Sequence, residues 1–303
     1  MTIVLGTRGS RLAVAQTELA KQALERLPEN PELIVRIIQT TGDLRTDINL
    51  AEPTRHTEQG LFTKELEEAL LRREIDVAVH SLKDLPTALP RGLELAATLP
   101  RHDPVDVLVS KSAKAFHELP DGAVVATSSV RRSRQILFAR PDLKIADIRG
   151  NVPTRIAKLV HEKSWNAIVL AKAGLERLGY RFDDGRIDSP RLFVSILREL
   201  LPAVGQGAIG LQARSDNVRT LELLQRVNDP DTWFCVRAER ELLRMLGGGC
   251  QLPLGVRTRL EGRNFSMEAI FFREQTNPIR GLIAGIFKDP VEAAKALFDK
   301  IYE

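Results

Sequence analysis

The residues best suited to chemistry stand at the ends of short apolar runs. Residues 76–86 read DVAVHSLKDLP, in which Val77 and Val79 alternate with small or polar residues before Ser81, Lys83 and Asp84. The alternation predicts a strand over 75–80 that exits into a polar turn closed by Pro86. In an open α/β sheet ligands bind just beyond the carboxyl ends of the strands. A carboxylate beside a cation at such a place can accept hydrogen bonds or stabilise a developing positive charge. Most Lys-Asp pairs are no more than two solvated charges on a surface turn, and the stretch by itself allows that reading too.

Three further turns concentrate arginine. Thr127, Ser128 and Ser129 precede Arg131 and Arg132; Arg149 and Arg155 bracket RGNVPTR; Arg8 stands beside Ser10; Arg177 lies further into its helix. Hydroxyls at a helix start cap free backbone N–H groups, and those groups, the helix dipole and nearby guanidinium forks suit an anion. Any one turn reads equally well as an N-cap with surface arginines. Several of them, all at predicted strand ends, point to a shared polyanion-binding cleft.

The two cysteines differ. Cys235 sits among Trp233, Phe234 and Val236 and reads as a small buried hydrophobe. Cys250 lies in GGGCQLPLG, where glycines let the backbone approach another element and a thiol is placed for covalent chemistry or attachment. An ordinary loop thiol is the alternative. Two cysteines with His102, His117 and His161 scattered argue against a metal site. Residues 205–210, GQGAIG, match the dinucleotide fingerprint GxGxxG, which demands a strand before it and a helix after it. Pro202 precedes it closely and GLQAR reads as a strand, so the glycines are expected to permit close backbone passage instead.

The elements that position these residues recur as a unit of short apolar strand, polar turn and amphipathic helix. It appears at 3–5 with a helix over 12–27, at 33–38, at 62–73 leading into the strand at 75–80, and again at 124–126, 145–148 and 168–170. Strands alternating with helices predict parallel, doubly wound sheets. The proline-bearing stretch 98–105 reads as a linker. From Asp229 the pattern changes to a helix over 230–246 stopped by Gly247, three antiparallel strands at 254–260, 265–272 and 279–287, and a helix over 290–302. The fold class is therefore α/β, with two doubly wound domains and a small C-terminal α+β domain carrying a three-stranded antiparallel sheet. The expected domains are 1–99 with 200–217, 100–199, and 218–303, the last bearing the cysteine loop.

A chain of 303 residues with 43% hydrophobic and 28% charged residues is ordinary for a globular protein. The net charge of +4 and a pI near 9.2 lean basic, but acids are interspersed, as in Glu239-Arg240-Glu241, and aromatics are 5%. Nucleic-acid surfaces want clustered cations with stacking aromatics, so small anionic molecules fit better. The N-terminal MTIVLGTRGS lacks the form of a signal peptide and no run reaches membrane-spanning length, so a cytoplasmic location is expected, with no membrane or nucleic-acid partner.

The set GTRGSRLAVAQ, DVAVHSLKDLP, ATSSVRRSRQ, DIRGNVPTRIAKL, LPAVGQGAIGLQ and GGGCQLPLG closely resembles the hydroxymethylbilane synthase (porphobilinogen deaminase) family, in consistent order from about residue 3 to 255. The resemblance implies two domains shaped like the halves of a periplasmic binding protein, with the active site between them, and a monomer serving tetrapyrrole and heme biosynthesis. It implies that four porphobilinogen molecules condense head to tail, with loss of ammonia, into the linear tetrapyrrole hydroxymethylbilane. The primer would be a dipyrromethane cofactor joined by a thioether to Cys250. By motif matching, Asp84 is the catalytic carboxylate. Asp43, Ser81, Lys83, Thr127, Ser129, Arg131 and Arg132 would hold the cofactor. Arg8, Ser10, Gln16, Arg149, Arg155 and Arg177 would hold the substrate's carboxylate arms. One departure is the loop 52–59, EPTRHTEQ, where Glu58 and Gln59 stand in place of the glycine and lysine that the family usually carries before GLF; a stiffer or differently closing lid is expected. The main rivals are a two-lobed binding protein without chemistry, which would need neither the cysteine loop nor Asp84, and a nucleic-acid-binding protein, which rests on pI alone.

Overall fold

The computed structural model describes residues 1–40, 63–188, 191–248, 252–273 and 277–302. The expectations for Asp43, Cys250 and the loop 52–59 lie outside the described residues. The chain forms two compact units. Met1–His102, Gly207–Cys250 and Phe287–Ala294 make the first; Asp103–Gln206, Gln251–Ile286 and Lys295–Glu303 make the second.

In the first unit β1 (Thr2–Arg8), α1 (Arg11–Glu25), β2 (Glu32–Ile38), α2 (Lys64–Leu71), β3 (Val77–Ser81) and β4 (Leu93–Thr98) follow in order. In the second come β5 (Asp106–Ser110), β6 (Val124–Ala126), α3 (Val130–Ala139), β7 (Lys144–Ala146), α4 (Val152–His161), β8 (Ala167–Ala171), α5 (Lys172–Arg177), β9 (Arg186–Asp188) and β10 (Arg191–Ile196). The chain then returns to the first unit with β11 (Ile209–Arg214), α6 (Val218–Arg226) and α7 (Pro230–Met245). β12 (Leu254–Glu261), β13 (Asn264–Phe271) and β14 (Ile279–Gly285) belong to the second unit, and α8 (Pro290–Tyr302) closes the chain.

Among the described residues there are three sheets: β2-β1-β3-β11-β4, β7-β6-β8-β5-β10-β9, and the antiparallel β12-β13-β14. The first two are doubly wound, as expected, but they are mixed rather than all parallel. β11 runs antiparallel to both of its neighbours, and β5 runs antiparallel to β8 and β10. The cause is connectivity. β4, β5, β10 and β11 flank the two passages of the chain between units, and there no crossover helix forces the next strand to lie parallel. In this way a strand is inserted antiparallel within each sheet, β11 between β3 and β4 and β5 between β8 and β10.

Both faces of the first sheet are covered. Ile3, Leu5, Val77, Val79 and Leu211 pack on Ala20 and Leu24 of α1 and Leu223 and Leu224 of α6; Ala78 and Leu93 pack on Leu66, Ala69 and Leu70 of α2. Each of the valine, leucine and isoleucine side chains among these contributes about 1.5–3 kcal/mol relative to exposure. In the second sheet α4 and α5 cover one face and α3 the other. The elements start where the sequence places caps: Ser10 Oγ accepts from Ala13 N at 3.2 Å, Asp229 Oδ1 from Thr232 N at 2.8 Å.

Several boundaries differ from the sequence reading. β3 is shifted toward Ser81, because Ile75 packs as a core residue before the strand begins. β7 ends at Ala146, since Ser128 takes up both backbone polar groups of Ile148. Thr98 closes β4 rather than opening a linker. GLQAR is strand, as its context required, and Gly210 allows the close passage: a Cβ there would lie 2.8 Å from Leu82 Cδ1 and 2.9 Å from Leu95 Cδ1. Glu239 and Arg240 are buried, not part of a solvated charge mixture. No described helix is long and apolar enough to cross a membrane.

Candidate functional site

In the first unit the candidate residues collect at the carboxyl ends of β1 and β3. The pleat of β3 sends Val77, Val79 and Ser81 toward α1 and Ala78 and His80 toward α2. Ser81 Oγ accordingly donates to Gln16 Oε1 of α1 at 2.9 Å, tying two of the predicted residues together. Arg8 ends β1, and Ser10 Oγ caps α1 as an acceptor, which leaves its O–H as a donor. Lys83, half-buried, and Asp84, exposed, occupy the 3-10 turn Leu82–Asp84 that follows β3.

On the opposite face His80 is buried and its Nε2 lies 2.8 Å from Gln212 Oε1 on β11. Gln212 Nε2 in turn donates to Glu67 Oε1 of α2 at 3.1 Å, so the Gln212 oxygen accepts and the proton sits on His80 Nε2. Burial pushes the His80 imidazole down to about 4; the Gln212 bond partly opposes this, and the charges of Arg240 and Arg8 add to it. His80 is therefore neutral at physiological pH and serves as a fixed strut immediately before Ser81. Burial raises the Glu67 carboxyl, against the bond from Gln212.

α7 holds the turn from the other side. Arg240 Nη1 donates to the Leu85 carbonyl at 2.8 Å and Nη2 to the Pro86 carbonyl at 2.6 Å. Leu82 and Leu85 pack with Val236, Ala208 and Trp233. One residue earlier on the same helix, buried Glu239 accepts a two-pronged bond from Arg101, at 2.6 and 3.1 Å. Cys235 is buried on α7, as its neighbours implied.

In the second unit Thr127, Ser129, Arg131 and Arg132 lie at the exit of β6 and the start of α3. Thr127 Oγ1 accepts from Ser129 N at 3.2 Å, and Ser129 Oγ accepts from Arg132 N at 3.5 Å. Both guanidinium groups turn inward onto Asp106, which is fully buried at the start of β5. Arg132 Nε and Nη2 donate to Asp106 Oδ1 at 3.1 and 2.7 Å, Arg131 Nη1 is 2.8 Å from Oδ2, and Gln206 Nε2 donates to Oδ1 at 2.9 Å. Burial alone would raise the Asp106 carboxyl; the two arginines overcome it and hold it well below the usual carboxylate range. Burial also lowers Arg131.

Arg149 and Arg155 meet around a carboxylate of the chain itself. Arg149 Nε donates to Asp147 Oδ2 at 3.2 Å, Arg155 Nε donates to the Gly150 carbonyl at 2.7 Å, and Gly150 holds φ at +107°, a value that L side chains rarely adopt. Burial tends to raise Asp147, but Ser128, Arg149 and Arg155 carry it below its ordinary value. Arg177 ends α5, and burial brings it down to about 10, which leaves it cationic at neutral pH.

Asp106, Asp147, Gln206, Arg240 and the Glu67–Gln212–His80 chain escaped the sequence reading. Two left a trace. An aspartate opening an apolar run such as Val107–Val109 must find a buried partner. Arg240 falls four residues after Val236 on the buried stripe of its helix. The donor set at the start of α3 suits an anionic group: two guanidinium groups on one carboxylate leave one positive charge in excess beside a capped helix N-terminus. A cavity of about 320 Å³ lies elsewhere in this unit, lined by Phe138, Leu201, Ile270, Arg198, Arg257 and Arg280 among others, and includes none of the predicted site residues.

Residues 3–222 match the family model described as porphobilinogen deaminase, dipyromethane cofactor binding domain, and residues 233–303 match porphobilinogen deaminase, C-terminal domain. The chain is 47% identical over 253 residues to a porphobilinogen deaminase of Syntrophobacter fumaroxidans, covering 84% of this chain and 78% of that one. It is 40% identical over 302 residues to a porphobilinogen deaminase of Roseiflexus sp. (strain RS-1), covering 100% and 96%. Among solved structures, the VFT2 domain of Bordetella pertussis BvgS (Double Mutant F375E/Q461E) overlaps 75% of this chain and 86% of that chain at 15% identity and a TM-score of 0.44, too loose an overlap to assign fold or function.

Proposed function

The chain belongs to the porphobilinogen deaminase family, and from that premise we propose that its reaction, the head-to-tail condensation of four porphobilinogen molecules into hydroxymethylbilane with loss of ammonia, is driven by Asp84. The supporting observation is the state of the turn Leu82–Asp84. It is pinned on one side by Ser81 on Gln16 and on the other by Arg240 on the Leu85 and Pro86 carbonyls, while Asp84 itself is exposed. When ammonia leaves the aminomethyl carbon with the bonding pair, the pyrrole becomes an electron-poor cation. A fixed carboxylate that accepts the pyrrole N–H offsets this charge as it develops, which is stabilisation of the transition state rather than of bound substrate.

The dipyrromethane, when bound, supplies the free pyrrole carbon onto which the chain grows. We assign its attachment to Cys250 by a thioether and its retention to Asp43, Ser81, Lys83, Thr127, Ser129, Arg131 and Arg132. Arg131 and Arg132 act there as a preorganised positive charge locked by Asp106. Arg8, Ser10, Gln16, Arg149, Arg155 and Arg177 orient the acetate and propionate arms of the substrate. Interspersed acids and few aromatics support a partner that is a small anion and not a nucleic acid, the sparse cysteines fit the reducing cytoplasm, and the family resemblance supports a monomer.

Asp84→Asn keeps the shape and removes the charge, so it should nearly abolish turnover with substrate binding retained, whereas Asp84→Glu should stay slow but active. The measurement is single-turnover kinetics on cofactor-loaded protein. Loaded Asp84→Asn turning over within about tenfold of wild type, a barrier change below about 1.4 kcal/mol, would refute the assignment.

A further inference from the structure

Arg240 is a buried cation with an unusual task. A guanidinium taken from water into a packed interior costs stability unless its donors are met, and an apolar side chain of similar length often packs there at least as well. Arg240 is 8% exposed, and the two donors described above meet two consecutive carbonyls, those of Leu85 and Pro86. Only the peptide between Asp84 and Leu85 separates this clamp from the Asp84 backbone. Leu82 N donates to the Ala208 carbonyl at 3.1 Å and Leu85 N to the Leu82 carbonyl at 3.2 Å, so the turn is fixed at its entry and across its width, and Arg240 fixes its exit. The guanidinium is planar with donors in a rigid fork, so it sets the direction of both carbonyls at once, as an ammonium cannot.

We propose that Arg240 is a positioning residue for Asp84: from α7 it holds the peptide planes after the turn and so aims the carboxylate at the position of the developing cation. This rests on the reading of Asp84 as the group that stabilises the cation. It differs from a purely stabilising role, because a guanidinium that only held the fold together would affect rate and stability without regard to what stands at position 84.

The test is a double-mutant cycle on cofactor-loaded protein, with Arg240→Met and Arg240→Lys each made in the wild-type and the Asp84→Glu backgrounds. Single-turnover rate, KM and intact mass are measured together. Arg240→Met is expected to slow the single-turnover rate roughly tenfold to a hundredfold with KM and cofactor mass unchanged, the range produced by a displacement of about 1 Å at a reacting group. Arg240→Lys, which can meet one carbonyl well, should recover part of the rate. In the Asp84→Glu background, where the carboxylate is already displaced, the loss from Arg240→Met should shrink to under about threefold. An equal fold loss in both backgrounds, or a loss in proportion to missing cofactor mass, would overturn the proposal. Should Arg240→Met fail to accumulate folded protein, Arg240→Lys against its own Asp84→Glu double variant gives the same comparison. Wild-type turnover in Asp84→Asn alone would overturn both this proposal and the reading beneath it, and that single variant tells the two failures apart.

Discussion

His80 makes the stability of the first unit depend on pH in a direction that can be worked out. Its ordinary value is 6.5, and in the folded chain it lies at about 4, with burial the largest cause. Between those values the unfolded chain binds a proton at His80 and the folded chain does not. Acidification therefore favours unfolding, and the His80 contribution is full above pH 6.5 and is lost as pH falls toward 4. At 1.36 kcal/mol per pKa unit the total is on the order of 3 kcal/mol. Glu67, at the far end of the same hydrogen-bonded chain, acts oppositely, because its raised carboxyl takes up a proton more readily when folded. Replacing His80 by Gln removes the titration and retains a donor toward Gln212. The assay can be confined to the right unit, since the two tryptophans divide between them: Trp233 packs near Leu82 and Leu85, Trp165 near the core of the second sheet. In a Trp165→Phe background, urea unfolding followed by Trp233 fluorescence at pH 7.5, 6.5, 5.5 and 4.5 should show stability falling more steeply for wild type than for His80→Gln, with the difference opening below pH 6.5. Parallel curves across that range would refute the reasoning.

Other outcomes follow from the same packing. Asp106→Asn leaves two buried guanidinium groups without their carboxylate and should cost about 3–5 kcal/mol, read as a lowered unfolding midpoint by Trp165; a change under about 1 kcal/mol would show that water compensates the pair. Gly210→Ala places a methyl group against Leu82 and Leu95 and should destabilise by about 1–3 kcal/mol, seen in the Trp233 transition; an unchanged midpoint would mean that both leucines swing aside freely. Cys250→Ser should yield protein lacking the mass of two pyrrole units while Cys235→Ser keeps it, and an unchanged mass excess in the Cys250 variant would move the attachment elsewhere.

The local signals in the sequence carried a long way. Alternation placed β3 to within two residues, the hydroxyl turn before Arg131 placed the start of α3, apolar spacing placed α1 and α7, and proline with strand-like GLQAR ruled out a nucleotide loop at Gly205. What escaped is non-local. Nothing near Arg131 tells that its partner is Asp106, 25 positions earlier, and nothing near His80 points to Gln212, 132 positions later. Glu239 and Arg240 look like surface charges until Arg101 and the turn after Asp84 are set against them. Nor does a strand announce its direction: β5 has the apolar run of a buried parallel strand, and only the path of the chain makes it antiparallel.

That path bears on the order in which the molecule can be made. The six-stranded sheet is drawn from residues 106–196 alone, so its hydrogen bonds can all form once that continuous stretch has left the ribosome. The five-stranded sheet cannot: its fourth strand, β11, is translated more than a hundred residues after β3 and β4, the two strands it joins. Until then those strands have open edges that can pair with other chains. The closure spans a long loop, whose entropic cost rises only slowly with length but which slows the search for native pairing. The five-stranded sheet, though begun first, is thus completed after the six-stranded one, and until β11 arrives its open edges are the part of the nascent chain most in need of protection from aggregation.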